Sequence, residues 1–197
     1  GVASPPGRPA MTDQTLSFLS PFAGGTSVGV AIEVPPPYTA ALRQLREDVG
    51  DAAGVEIIPP HITLLPPTAL PSFDLTDVEA QLAKAAAATP AFTVELAGPG
   101  SFRPLSQVVY AALTQGGQEC DALQHAVRQG PLAQELRFDY HPHVTVAQDV
   151  PPENLDAAEA ALTGFHARFQ VDSFALYELA PDNRWHTIRT FALTGRS

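Results

Sequence analysis

The sequence predicts an α+β fold of two similar lobes, each with an antiparallel sheet lining one central cleft and helices on the outside. Three observations predict it. Strand and helix patterns alternate as strand, helix, strand, helix, strand, and that order occurs twice. The helical segments place apolar residues three and four apart on one side, as a helix lying on a sheet does. A pattern of proline, histidine, aliphatic, threonine, aliphatic stands at the same place in both halves.

In the first half, residues 28–34 form a short apolar strand closed by Pro35, Pro36 and Pro37. Tyr38, Ala41, Leu42, Leu45 and Val49 then recur at helical spacing, with Arg43, Arg46, Glu47 and Asp48 between them. Residues 56–64 read as a strand, interrupted by Pro59–Pro60 and stopped by Pro66–Pro67. Thr76 with Glu79 makes a capping-box pattern before Val78, Leu82 and an alanine run, so a helix extends to about residue 88. Phe92, Val94 and Leu96 alternate as a half-buried strand.

The second half repeats the order. Residues 107–113 are an apolar strand. Cys120, Leu123 and Val127 mark a helix that ends near Gly130–Pro131. Residues 144–146 are a short strand. Pro151–Pro152 precede a helix carrying Leu155, Ala158 and Leu162. Residues 167–179 and 185–193 are strands joined by a turn at Pro181, Asp182 and Asn183. The expected organisation is a disordered leader or non-native remnant over 1–14, then a single bilobal domain over 15–197. Its pseudo-repeats cover about 26–105 and 106–193.

Composition narrows the function. The chain has 197 residues, enough for a full core in one domain. Eleven basic residues against 21 acidic ones give a net charge of −10. Proteins that coat long nucleic acid by counterion release are basic, so that role is excluded. Chemistry on a small nucleotide or a strand end is not. Cys120 is the only cysteine, which leaves no intrachain disulfide and no cysteine-built zinc site. No apolar run approaches the roughly 20 residues that span a bilayer. A monomeric, cytoplasmic protein with no membrane partner is expected.

The chemistry is carried by Pro60-His61-Ile62-Thr63-Leu64 and Pro142-His143-Val144-Thr145-Val146, whose histidines lie 82 residues apart. On a strand, residues i and i+2 share a face. His61 and Thr63 therefore point one way, and Ile62 and Leu64 point into helix-covered core. His143 and Thr145 do the same against Val144 and Val146. Two histidines that titrate near neutral pH can divide acid and base roles. Threonine hydroxyls can donate to phosphate oxygens as charge grows on them. This is what metal-free transfer at a phosphate ester requires, with His61 and His143 as the acid/base pair, Thr63 and Thr145 as phosphate donors, and no cofactor.

These residues resemble the 2H phosphoesterase superfamily, in particular the bacterial 2′-5′ RNA ligases or RNA 2′,3′-cyclic phosphodiesterases. The resemblance rests on the two motifs, their separation and the duplicated element order, and it covers about residues 26–193. It implies a bilobal fold with the two motif strands on the floor of a cleft. The implied activity is opening a 2′,3′-cyclic phosphate, on a nucleotide or an RNA terminus, to a 2′-phosphate, sometimes with the reverse 2′-5′ joining. The chain departs from the pattern at Gln148, where many relatives carry an arginine three positions after the threonine. Leu65-Pro66-Pro67 also replaces an aromatic-rich continuation.

Other readings stand beside these. His141-Pro142-His143 could chelate a metal. A nucleotide-binding module without turnover is a further alternative. Tyr177 and Trp185 could stack a nucleobase, although core packing is the commoner role for strand aromatics. Arg184, Arg189 and Arg103 are candidates for steering phosphate, and Glu33, Glu56 and Asp139 for tuning a histidine. His125 and His166 read as surface residues, and the role of His186 is open. An acidic exterior around a locally neutral cleft favours short substrates, so mononucleotides should be turned over at least as well as long RNA.

Overall fold

The computed structural model describes residues 26–70, 75–136 and 138–197, and the expected leader lies outside them. In chain order the elements are β1 (Thr26–Glu33), α1 (Tyr38–Asp48), α2 (Ala52–Ile57), β2 (His61–Leu70) and α3 (Leu75–Ala88). They continue as β3 (Phe92–Ser101), β4 (Val108–Gln115), α4 (Gly117–Val127), a 3-10 turn (Gly130–Leu132) and β5 (His143–Gln148). The last are α5 (Pro152–Leu162), β6 (His166–Val171), β7 (Ser173–Leu179) and β8 (Trp185–Ala192).

Two four-stranded antiparallel sheets result, ordered β2-β1-β7-β8 and β5-β4-β3-β6. They do not coincide with the two halves of the chain. Strand β3, from the first half, pairs with β4 and β6, while β7 and β8, from the second, extend the sheet of β1. Helices cross over too. From the first half, α1 packs on β5, and from the second, α4 packs on β2. One apolar core, including Ile32, Ile62, Leu82, Leu123, Val144, Leu155 and Phe174, joins both sheets to their helices. Removing that much apolar surface from water drives the fold, at about 1.5–3 kcal/mol per fully buried large side chain.

Four sequence expectations are corrected. Residues 56–64 are not one strand, because 52–57 form α2. Asp51 caps that helix, its side chain accepting from the Gly54 N–H at 3.2 Å. Second, β2 does not stop at Pro66–Pro67. It is an edge strand, and Pro66 and Pro67 together oppose Gly29 in a bulge, where missing N–H groups break no ladder bond. Third, residues 167–179 are two strands in different sheets, divided at Asp172. Strand β6 alternates exposed and buried, as one solvated face demands, whereas β7 is buried along most of its length. Thr76 also lies inside α3 rather than capping it.

Candidate active site

Both motif strands are edge strands, and β2 runs beside β5. His61, Thr63, His143 and Thr145 are all buried, as are Ile62, Leu64, Val144 and Val146 on the helix-covered side. All eight are buried alike, so burial does not separate the two faces of either strand, and the topology brings the two motifs onto neighbouring strands.

The two motifs share two further features. Nδ1 of His61 donates to the carbonyl of Pro59 at 2.8 Å, and Nδ1 of His143 donates to the carbonyl of His141 at 2.7 Å. A carbonyl only accepts, so Nδ1 carries the proton of the neutral ring. Nε2 is then the nitrogen that takes up and releases a proton. Proline at the intervening position explains the repeat. It holds the preceding residue extended, which turns that residue's carbonyl toward the imidazole two positions on. The second feature is a bulge directly after each threonine. Leu64 is the extra residue between Thr63, opposite Ala31, and Leu65, opposite Val30. Val146 is the extra residue between Thr145, opposite Tyr110, and Ala147, opposite Val109. Bulges of this kind re-aim neighbouring side chains.

The surroundings of the two imidazoles differ. His143 meets Phe102 edge-on, with centroids 4.9 Å apart at 90°, and lies 5.3 Å from Tyr110. His141 lies 5.4 Å from both of these rings, and burial against them lowers its pKa below the ordinary 6.5. His61 instead lies 5.7 Å from Trp185. Trp185 stacks on Tyr177 at 3.6 Å and 12°. Tyr177 is buried, as a core role requires, but Trp185 is only half-buried. One device recurs beneath the tyrosines. Gly29 lies opposite Tyr177 and Gly100 opposite Tyr110, and in each pair a Cβ on the glycine would collide with the ring.

Support for the motif strands comes from elsewhere. The Asp51 carboxylate accepts from Arg46 Nε at 2.8 Å, from the Gly54 N–H and from the Gln148 N–H at 3.1 Å. It thereby ties the α1–α2 junction to the end of β5. Gln148 buries Oε1 without a hydrogen-bond partner among the described residues. Tyr140 bonds the carbonyl of Thr63. Neither Asp51 nor Tyr140 is a candidate from sequence, although Asp51-x-x-Gly54 is an N-cap pattern.

The structure also sorts the charged candidates. Arg103 is clamped by Asp156 and Glu159 at 2.9 and 2.7 Å, which assigns it to holding α5. Arg189 lies across Phe191 and reaches Glu79 of α3, on the helix side of its sheet. Arg184, beside Trp185 in sequence, reaches Glu56 of α2 at 3.7 Å. Glu33 is the register partner of His61 on β1, and Asp139 is exposed in the loop ahead of His141. His125 and His166 are exposed, as expected, and His186 faces Asp182 at 3.4 Å. Among the described residues, no three His, Cys, Asp or Glu side chains are grouped to hold a metal ion, and no helix is long and apolar enough to cross a membrane.

Residues 32–183 match the family model of the 2′-5′ RNA ligase superfamily. A Bacillus cytotoxicus protein named "Putative phosphoesterase" is 30% identical over 143 residues, covering 70% of this chain and 80% of that protein. The crystal structure of E. coli LigT complexed with 3′-AMP is 19% identical and superposes with a TM-score of 0.58, over 86% of this chain and 99% of that chain. The crystal structure of TT0787 from Thermus thermophilus is 24% identical with a TM-score of 0.55, over 87% of this chain and 100% of that chain. These two structures share the fold.

Proposed function

The chain belongs to the 2′-5′ RNA ligase superfamily, and on that premise we propose that it is a metal-independent phosphodiesterase opening a 2′,3′-cyclic phosphate, on a nucleotide or an RNA terminus, to a 2′-phosphate. One observation carries this reading. Two buried imidazoles on adjacent edge strands are each anchored through Nδ1 to a carbonyl, and each is followed by a buried threonine on the same strand.

In the mechanism, Nε2 of one neutral histidine accepts a proton from water as the water oxygen attacks phosphorus. The bond from phosphorus to O3′ breaks. The other histidine, protonated at Nε2, gives its proton to O3′, leaving the phosphate on O2′. After the turnover the two histidines have exchanged protonation states and re-equilibrate with solvent. Thr63 and Thr145 donate from their hydroxyls to the non-bridging oxygens, where negative charge accumulates. The carbonyls of Pro59 and His141 hold each ring in the tautomer this requires and stabilise its charged form.

The test is incubation of the purified protein with 2′,3′-cyclic AMP in the presence of EDTA. The expected product is 2′-AMP, and loss of activity in EDTA that zinc restores overturns the metal-free mechanism. The family description favours a second reading, the joining of a cyclic-phosphate end to a 5′-hydroxyl end, in which the 5′-oxygen attacks phosphorus in place of water and the bond to O3′ breaks. A lengthened 2′-5′-linked oligonucleotide would distinguish it. E. coli LigT has been crystallised with 3′-AMP, with NADP+ and with ATP, which supports a nucleotide-sized substrate here.

A further inference from the structure

Beside His61 the inner sheet face carries a ladder of two rings. Gly29 leaves room for the Tyr177 ring directly on β1, and Tyr177 is buried there. Trp185 lies on Tyr177 almost parallel, 3.6 Å between centroids. The two are diagonal neighbours across the β7–β8 pair, since Tyr177 opposes Thr187 and Leu179 opposes Trp185. The indole N–H donates to Thr187 Oγ1 at 2.9 Å, which fixes the ring's rotation. Trp185 is thus rigid, half-exposed and 5.7 Å from an imidazole assigned to acid/base work. Ile58, Leu179 and the edge of Ile57 complete an apolar patch separate from the main core.

A fixed tryptophan is a costly way to pack a sheet margin, because its large apolar surface is only partly removed from water. Stacking of a flat ring on it would complete that burial. Resting on the phosphodiesterase reading, we propose that Trp185 is the stacking surface for the nucleobase of the substrate, placing the nucleoside on the His61 side of the reacting phosphate. The 5.7 Å between Trp185 and the His61 imidazole sets this ring beside one of the two groups proposed to flank the phosphate. The rings beside His143 are arranged differently: Phe102 meets the imidazole edge-on at 90°, and Tyr110, tilted 39° to Phe102 and 57° to the imidazole, is buried rather than half-exposed. The site is therefore asymmetric despite its duplicated motifs.

Trp185 is the only tryptophan in the chain, so its emission reports on this ring alone. Titration of the wild-type protein with 3′-AMP should quench that emission saturably, and inorganic phosphate should not. In kinetics, Trp185→Ala should raise KM for 2′,3′-cyclic AMP about tenfold, in line with the loss of one base stack, and leave kcat nearly unchanged. Trp185→Phe should recover most of the loss. Ribose 2′,3′-cyclic phosphate lacking a base should be turned over equally by wild type and both variants. Absence of quenching by 3′-AMP overturns the inference, and so does an equal KM increase for the base-free substrate. If the wild type turns over neither cyclic phosphate, the phosphodiesterase reading fails, and the fluorescence titration alone decides whether Trp185 stacks a base.

Discussion

The phenol of Tyr140 donates a 2.8 Å hydrogen bond to the backbone carbonyl of Thr63, 77 residues earlier in the chain. Tyr140 stands three residues before His143, so this bond ties the approach to one motif to the backbone of the other. It also satisfies a carbonyl on an edge strand, where an unpaired acceptor would invite other partners. Burial pushes the Tyr140 phenol well above its ordinary pKa, so it stays a donor across the working range.

Tyr140→Phe removes the donor and keeps the ring. The expected stability loss is about 1–3 kcal/mol, the cost of leaving a buried acceptor unsatisfied. Because Thr63 shifts relative to His143, kcat should fall while KM for a cyclic nucleotide stays close to wild type. Urea unfolding and steady-state kinetics check the two parts. An unchanged kcat with reduced stability would show that the bond holds the fold and not the site.

Asp51→Ala should be among the most damaging substitutions away from the motifs. It removes the carboxylate paired with the buried Arg46 guanidinium, uncaps α2 and frees the Gln148 N–H. Removing one partner of a buried ion pair costs about 3–5 kcal/mol. Arg46→Met with Asp51→Leu removes both charges and should unfold at a higher urea concentration than Asp51→Ala. Equal midpoints would mean that the cap and the Gln148 bond, not the broken ion pair, set the loss.

Gly29→Ala places a methyl group into the Tyr177 ring. Overpacking of this kind costs about 1–3 kcal/mol. Since Trp185 rests on Tyr177, its emission maximum should move even in the folded variant, and the KM for a cyclic nucleotide should rise. An unshifted spectrum would show that the two rings are not mechanically coupled.

The Cys120 thiol is wholly buried, and burial pushes its pKa up to about 12. Almost no thiolate exists at pH 8, and thiolate is the reactive form. Native protein should resist a thiol reagent at that pH, and protein in denaturant should react at once. Rapid reaction of the native protein would place Cys120 at an opening of the α4–β2 contact.

The sequence makes some of this legible and hides the rest for physical reasons. His61, Thr63, His143 and Thr145 are legible because a period of two assigns faces directly and the duplication supplies an internal check. Residues 92–96 are recognisable as strand, yet nothing local says that β3 crosses to join β4, since a strand's partner is chosen by long-range packing. The Pro66–Pro67 pair reads as a stop because proline cannot donate to a ladder. On an edge strand with a bulge it does not have to. Asp51 reads as part of a loop between helix and strand, and only its three donors reveal it as an anchor. Trp185 and Tyr177 carry the same pattern in sequence, and burial alone separates the core ring from the half-exposed one.

Everything proposed for the site depends on His61 and His143 acting as one acid/base pair. The decisive quantity is the single-turnover rate of 2′,3′-cyclic AMP hydrolysis in EDTA for wild type, His61→Ala, His143→Ala and the double variant, each shown folded by its thermal transition. Each single substitution should lower the rate at least a hundredfold, within the range of general acid–base catalysis, and the double variant should be hardly slower than either single one. A near-wild-type rate in either single variant, or losses that simply multiply in the double variant, would rule the pair out.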